Sequence, residues 1–166
     1  MESLFARLIR ICISGSYLNV QSALTGSQQS SWITPTLNDY QVFDSNVTGS
    51  LVGINIACNL TGGGTIIVQC FSGSHGRNGV FVGNFTQTSG RRKSAPSSIL
   101  LQGSALLTSG SNYSLVFVIS SGNGGSGTIS IGSGLYNQGY FNDSASGSIS
   151  QDAVFSLFMR LWSMIL

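Results

Sequence analysis

Tyr113-Ser114-Leu115-Val116-Phe117-Val118-Ile119-Ser120 is the longest apolar run in the body of the chain. Its β-branched and aromatic residues favour a pleated strand. The run is apolar at odd and even positions alike, so it suits a central strand buried on both faces. Outward from it the pattern changes. In Leu51–Cys58, Val52, Ile54 and Ile56 alternate with Gly53, Asn55 and Ala57, the period of a strand with one buried face. Thr65–Phe71 alternates the same way through Ile66 and Val68, and the intervening Asn59-Leu60-Thr61-Gly62-Gly63-Gly64 predicts a hairpin between the two. Tyr40–Phe43, Gly79–Thr86, Ser98–Gln102 with Ala105–Leu107, and Ala153–Met159 read as further strands. Gly127–Leu135 is expected to answer the 113–120 run across a glycine loop. About eight mostly antiparallel strands follow, and no stretch carries a helical period. The fold class is therefore all-β: an antiparallel β-sandwich.

Composition supports an extracellular or surface role. Only 7% of the residues are charged, against roughly 25% in an ordinary soluble domain. The 42% hydrophobic content is enough to fold the chain. A formal charge of +2 is too small for an electrostatic nucleic-acid footprint, so no nucleic-acid partner is expected. Arg91-Arg92-Lys93 lies in a Ser/Gly setting and reads as a solvated loop tip rather than a phosphate site.

The chain divides into a lead-in over residues 1–31, a sandwich over 32–160 and an apolar tail over 161–166. The lead-in has the look of a degraded export signal: Arg7 and Arg10, then Ile11-Cys12-Ile13, then small residues. Ala153–Leu166 includes Arg160 and is shorter than the ~20 residues a membrane helix needs, so no transmembrane segment is expected. The tail Leu161-Trp162-Ser163-Met164-Ile165-Leu166 suits self-association with a partner subunit.

Cys58 and Cys70 fall at even positions on the two strands of the expected hairpin, so a cross-strand disulfide can form there in an exported chain; two buried free thiols are the alternative. Asn46, Asn59, Asn84, Asn112 and Asn142 each open an N-x-[ST] sequon, a glycosylation signal only in a eukaryotic secretory setting.

Three stretches resemble the extracellular jelly-roll sandwiches of carbohydrate-binding-module type. Gln41-Val42-Phe43 with Gly49–Ile56 is similar to their first paired strands. Leu106–Val116 is similar to their L-x-x-G-x-x-Y-x-L-V hairpin, and Asp152-Ala153-Val154-Phe155 to their closing strand. The resemblance spans Tyr40 to Phe158. It implies a non-catalytic module that binds carbohydrate or glycoconjugate through end loops, with a structural calcium as the one candidate cofactor. Single jelly rolls also build virion shells and surface assemblies, so a structural subunit is the alternative function.

Sugar recognition needs an aromatic face against the pyranose ring and amide or carboxylate groups at its rim. Tyr136, Asn137, Gln138, Tyr140 and Asp143 form the best local cluster, with Trp32 as a second aromatic; the competing reading is that these aromatics cover an open end of the sandwich. Asp39 and Asp152 are the calcium candidates, since first and last strands of such sandwiches often neighbour each other; Ca²⁺ takes about 6–8 oxygens, so carbonyls or waters would complete the shell. A secreted glycoside hydrolase is a second alternative, requiring paired acids such as Asp143 and Asp152. No catalytic residue is assigned: the single histidine, His75, sits in a Gly/Ser loop, and no G-x-S-x-G elbow exists. Gly122-Asn123-Gly124-Gly125-Ser126-Gly127 matches G-x-G-x-x-G, but Thr128-Ile129-Ser130-Ile131 predicts a strand after it, not the helix a dinucleotide site needs.

Overall fold

A computed structural model describes residues 17–21, 29–33, 39–61, 65–87, 97–120, 126–133, 140–143, 147–149, 151–153 and 155–161. They form β1 (Tyr17–Gln21), β2 (Gln29–Ile33), β3 (Tyr40–Ser45), β4 (Gly49–Thr61), β5 (Thr65–Ser72), β6 (Phe81–Gln87) and β7 (Ser97–Leu107). Then come β8 (Ser111–Ser120), β9 (Ser126–Ser133), β10 (Tyr140–Asp143), β11 (Gly147–Ile149), β12 (Gln151–Ala153) and β13 (Phe155–Leu161). The only helical element among the described residues is a 3-10 turn at Gly76–Asn78. None of their helices is long and apolar enough to cross a membrane.

Hydrogen bonding runs continuously in the order β1-β13-β4-β7-β6-β5-β8-β3-β10-β11, with β9 branching from β4 and collecting β2 and β12. The ladder curls so that its two halves enclose one core. Leu51, Ile54, Ile56, Leu101, Leu107, Leu157 and Met159 enter from the β13-β4-β7 side; Phe43, Ile66, Val68, Leu115, Phe117 and Phe141 enter from the β5-β8-β3-β10 side. The chain is thus the antiparallel sandwich that its strand pattern predicts, and it is jelly-roll-like, as the resemblance implies.

β8 sits between β5 and β3, and Tyr113, Ser114, Leu115, Val116 and Phe117 are all buried. Leu115 and Phe117 face the main core, while Val116 packs with Tyr40, Val42 and Phe71 in a second cluster on the opposite face. The run without alternation is therefore covered on both sides, as a central strand should be.

Several expected pairings are corrected. β4 and β5 form no hairpin: β4 pairs with β13, β7 and β9, and β5 with β6 and β8. Two alternating strands can each find other partners, and here the chain passes from one layer to the other between them. β9 answers β4, β2 and β12, not β8. The Leu106–Val116 segment is likewise a crossover, because β7 pairs with β4 and β6 while β8 pairs with β5 and β3. Its turn is held from outside. Gly110, at φ 78°, donates its N–H to the Ser45 carbonyl at 2.7 Å, and Ser109 donates to Thr48 Oγ1 at 3.0 Å.

The inward alternation expected through Val52 also fails. The ladders to β7 and β13 shift register beside Val52, so Leu51 turns inward with no exposure and Val52 is left half-buried on the outer face. The strand that follows the glycine-rich G-x-G-x-x-G match is present as β9, with Thr128 to Ile131 inside it.

Candidate functional site

The end of the sandwich around β8, β3 and β10 carries the loop from Gly73 to Val80, and this loop is fastened by residues far away in sequence. Ser114, in the middle of β8, donates its hydroxyl to the Gly73 carbonyl at 2.7 Å and accepts the Gly76 N–H at 3.1 Å. Gly73 N–H donates to the Asn112 carbonyl at 2.7 Å. Ser72 and Val80 close the loop's neck: Ser72 N–H donates to the Val80 carbonyl at 2.8 Å, and Val80 N–H donates to Ser72 Oγ at 3.2 Å. Asn78 and Gly79 donate to the His75 and Gly76 carbonyls at 3.2 Å each. His75 and Arg77 stand exposed on this fixed backbone.

Tyr140 joins the same structure. Its hydroxyl donates to the Ser74 carbonyl at 2.8 Å, and its ring packs against the cluster of Tyr40, Val42, Phe71 and Val116. Burial, and then the neighbouring Tyr140, push the Tyr40 phenol above its ordinary pKa. Tyr140 is half-buried, so it acts as a clasp on the loop more than as an open platform for a sugar ring. Its cluster mates Tyr136, Asn137 and Gln138 lie outside the described residues. Asp143 ends β10 opposite Gly147. Trp32 lies on β2 opposite Thr128 of β9, a different ladder from Tyr140 on β10 opposite Val42 of β3.

The calcium candidates are not brought together by adjoining first and last strands. Asp39 is buried just before β3, where its carbonyl accepts the Phe117 N–H at 3.0 Å. Asp152 lies on β12 opposite Gly132 of β9. β3 pairs with β8 and β10, whereas β13 pairs with β4 and β1, which removes the premise that would have joined them. Among the described residues no group of three or more His, Cys, Asp or Glu could hold a metal ion.

Of the sequons, Asn46, Asn84 and Asn112 are exposed, Asn142 is half-buried, and Asn59 lies near the end of β4. Cys58 and Cys70 are free and buried, on the non-adjacent strands β4 and β5, in place of the cross-hairpin disulfide. Burial pushes both thiols up to about 12. Each stays protonated in the folded chain while the unfolded chain's thiols ionise near the ordinary value of 9.0. The stability they confer is therefore complete below pH 9 and is lost as the pH rises through about 12. Thermal melts are expected to be level across neutral pH and to fall over that alkaline window, and Cys58→Val is expected to flatten the fall. A melting temperature that stays level to pH 12 would contradict the assignment.

A second feature lies on the outer face of β13-β4-β7. Val52, Gly53, Leu100, Gln102, Phe158 and Arg160 line an open groove. Gly53 is its floor: a Cβ there would meet Phe158 Cδ2 at 3.4 Å and Leu100 Cδ1 at 3.6 Å. Leu100 is 47% exposed and Leu106, further along β7, is 61% exposed. Sequence reasoning missed this face, although Ile99-Leu100-Leu101 and Ala105-Leu106-Leu107 are apolar at every position, the mark of a strand covered on both sides.

No protein-family model and no curated protein matches the sequence. Among solved structures the chain is similar to that of the infectious bursal disease virus Gx strain, at 15% identity and a TM-score of 0.30, over 90% of this chain and 41% of that one. The Gt strain of the same virus gives 12% identity and a TM-score of 0.31, over 92% and 38%. The VP2 subviral particle of that virus gives 13% and 0.32, over 90% and 42%. The chain thus spans about two fifths of the length of the viral chains it matches. Likeness at this level carries no functional argument.

Proposed function

We propose that the chain is a non-catalytic structural subunit of a virion or other surface assembly, and that the outer face of β13-β4-β7 meets another copy of the chain. The observation that carries this reading is the outward-facing apolar surface of β7. Leu100 and Leu106 point away from a core already filled by Ile99, Leu101, Ala105 and Leu107. Gln102 and Ser104 stand between them, and Leu100 joins Val52 and Phe158 across the groove. Exposed apolar side chains gathered in this way mark a protein contact. A second copy fits as the occupant because Arg160 is the one formally charged group lining the groove, and a chain of net charge +2 repels its copies little.

Removal of the apolar contacts tests this reading. Light scattering on the full chain is expected to give a defined oligomer, and Leu100→Ser with Leu106→Ser is expected to give a monomer whose melting temperature is nearly unchanged. A wild-type monomer that binds glycans, and loses that binding in Tyr136→Ala/Tyr140→Ala, would replace assembly with carbohydrate recognition.

A further inference from the structure

We propose that the loop from Gly73 to Phe81 is a membrane-contact tip that seats on an anionic lipid surface. Two adjacent apolar side chains stand in water at its exit: Val80 is 73% exposed and Phe81 is 51% exposed. Only Phe81 has a ring partner, Phe71, with centroids 5.6 Å apart in an edge-on arrangement. Arg77 is the one Asp, Glu, Lys or Arg between Ser72 and Gln87. The loop's own segment therefore presents apolar surface and a cation, with no acid between Ser72 and Gln87.

Much of the loop's backbone is already paired within the protein. Lipid penalises every unpaired N–H and C=O, yet the N–H groups of Gly73, Gly76, Asn78, Gly79 and Val80 all have acceptors, and the Gly73, Ser74, His75, Gly76 and Val80 carbonyls all have donors. Ser114 and Tyr140 supply three of these bonds from other strands, so the tip is ordered before it meets a surface. Gly79 permits the close return of the chain, since a Cβ there would fall 1.8 Å from the Ser72 carbonyl oxygen. Lipid suits this loop better than a folded protein partner. Its exposed apolar side chains stand beside a strand end, not across a flat sheet face, and five of its N–H groups and five of its carbonyls are paired within the protein. The tip shares no residue with the outer-face groove, so lipid contact is independent of assembly.

Vesicle flotation of the full chain tests it. Binding is expected to phosphatidylcholine vesicles containing phosphatidylglycerol and to be weak on phosphatidylcholine alone. Arg77→Gln is expected to weaken it about fivefold, the effect of one basic residue near an anionic surface. Val80→Ser with Phe81→Ser is expected to weaken it about tenfold or more. If Phe81→Ser disturbs the fold through Phe71, Val80→Ser alone carries the test, because no ring packing depends on Val80. Equal binding to both vesicle types, no binding to either, or undiminished binding by folded Val80→Ser would overturn the proposal. So would a change of oligomeric state without lipid in the same variants, since that makes the patch a protein contact.

Discussion

Gly103→Ala is expected to lower the stability of the sandwich by roughly 3 kcal/mol, at the upper end of what overpacking a filled site costs. An added Cβ would lie 1.9 Å from the Asn84 carbonyl oxygen and 2.8 Å from Phe85 Cδ1. The first of these neighbours is backbone, so no rotamer change relieves the clash. Gly83 repeats the arrangement from the other strand, with a Cβ 2.0 Å from the Ser104 carbonyl oxygen. The close approach of β6 and β7 at these two points leaves no room for a side chain at Gly83 or Gly103. For a chain of this size the melting temperature should fall by about 6–12 °C. Gly53→Ala is the control. Its Cβ would meet nothing closer than 3.4 Å, so it should leave the melt within about 0.5 kcal/mol of wild type. Equal melts for the two variants would contradict the close approach of β6 to β7.

Phe117→Ala is expected to cost about 3–5 kcal/mol, the range for deleting a buried aromatic ring. Phe117 has no exposure and lies 6.2 Å, centroid to centroid, from Phe141 on β10. Its strand pairs along most of its length with β5 and with β3. A cavity there loosens three strands together. Phe81→Ala, at a half-exposed ring, should cost about 1 kcal/mol. Chemical denaturation of the two variants distinguishes them, and a smaller loss for Phe117 than for Phe81 would contradict the placement of β8 at the centre.

These two sites also mark what the sequence makes legible. The apolar run around Phe117 identifies a strand covered on both faces, because Leu115 to Val118 are apolar at odd and even positions alike and the one buried polar residue, Ser114, is hydrogen-bonded. The alternation of Ile66, Val68 and Cys70 likewise identifies an inward row on β5. Period does not identify partners. Leu51–Cys58 and Thr65–Phe71 carry compatible patterns and a glycine-rich connection, yet they occupy opposite layers, because alternation looks the same to every neighbouring strand. The irregularity at Val52 is invisible for a related reason: a valine suits either face of a strand. The glycines at 83 and 103 read locally as weak points in strands, and only their juxtaposition shows a close approach.

The candidate site divides similarly. Tyr140 stands out as an aromatic residue in a polar setting, but its partner Ser74 is 66 positions away. Ser114 is inconspicuous inside its apolar run, although it fastens the 73–80 loop with two hydrogen bonds. Leu100 and Leu106 read simply as strand residues until the fold shows which of their neighbours fill the core.

Thiol cross-linking on the outer face tests the assembly reading most directly. In a Cys12→Ser background, Cys58 and Cys70 are buried and should not react. Gln102→Cys then places a single reactive thiol at the rim of the groove. A short bismaleimide is expected to give a band at twice the chain's mass from Gln102→Cys, and none from Asn46→Cys at the sandwich end. No dimer from Gln102→Cys, or an equal yield from both positions, would contradict the outer face of β13-β4-β7 as the subunit contact.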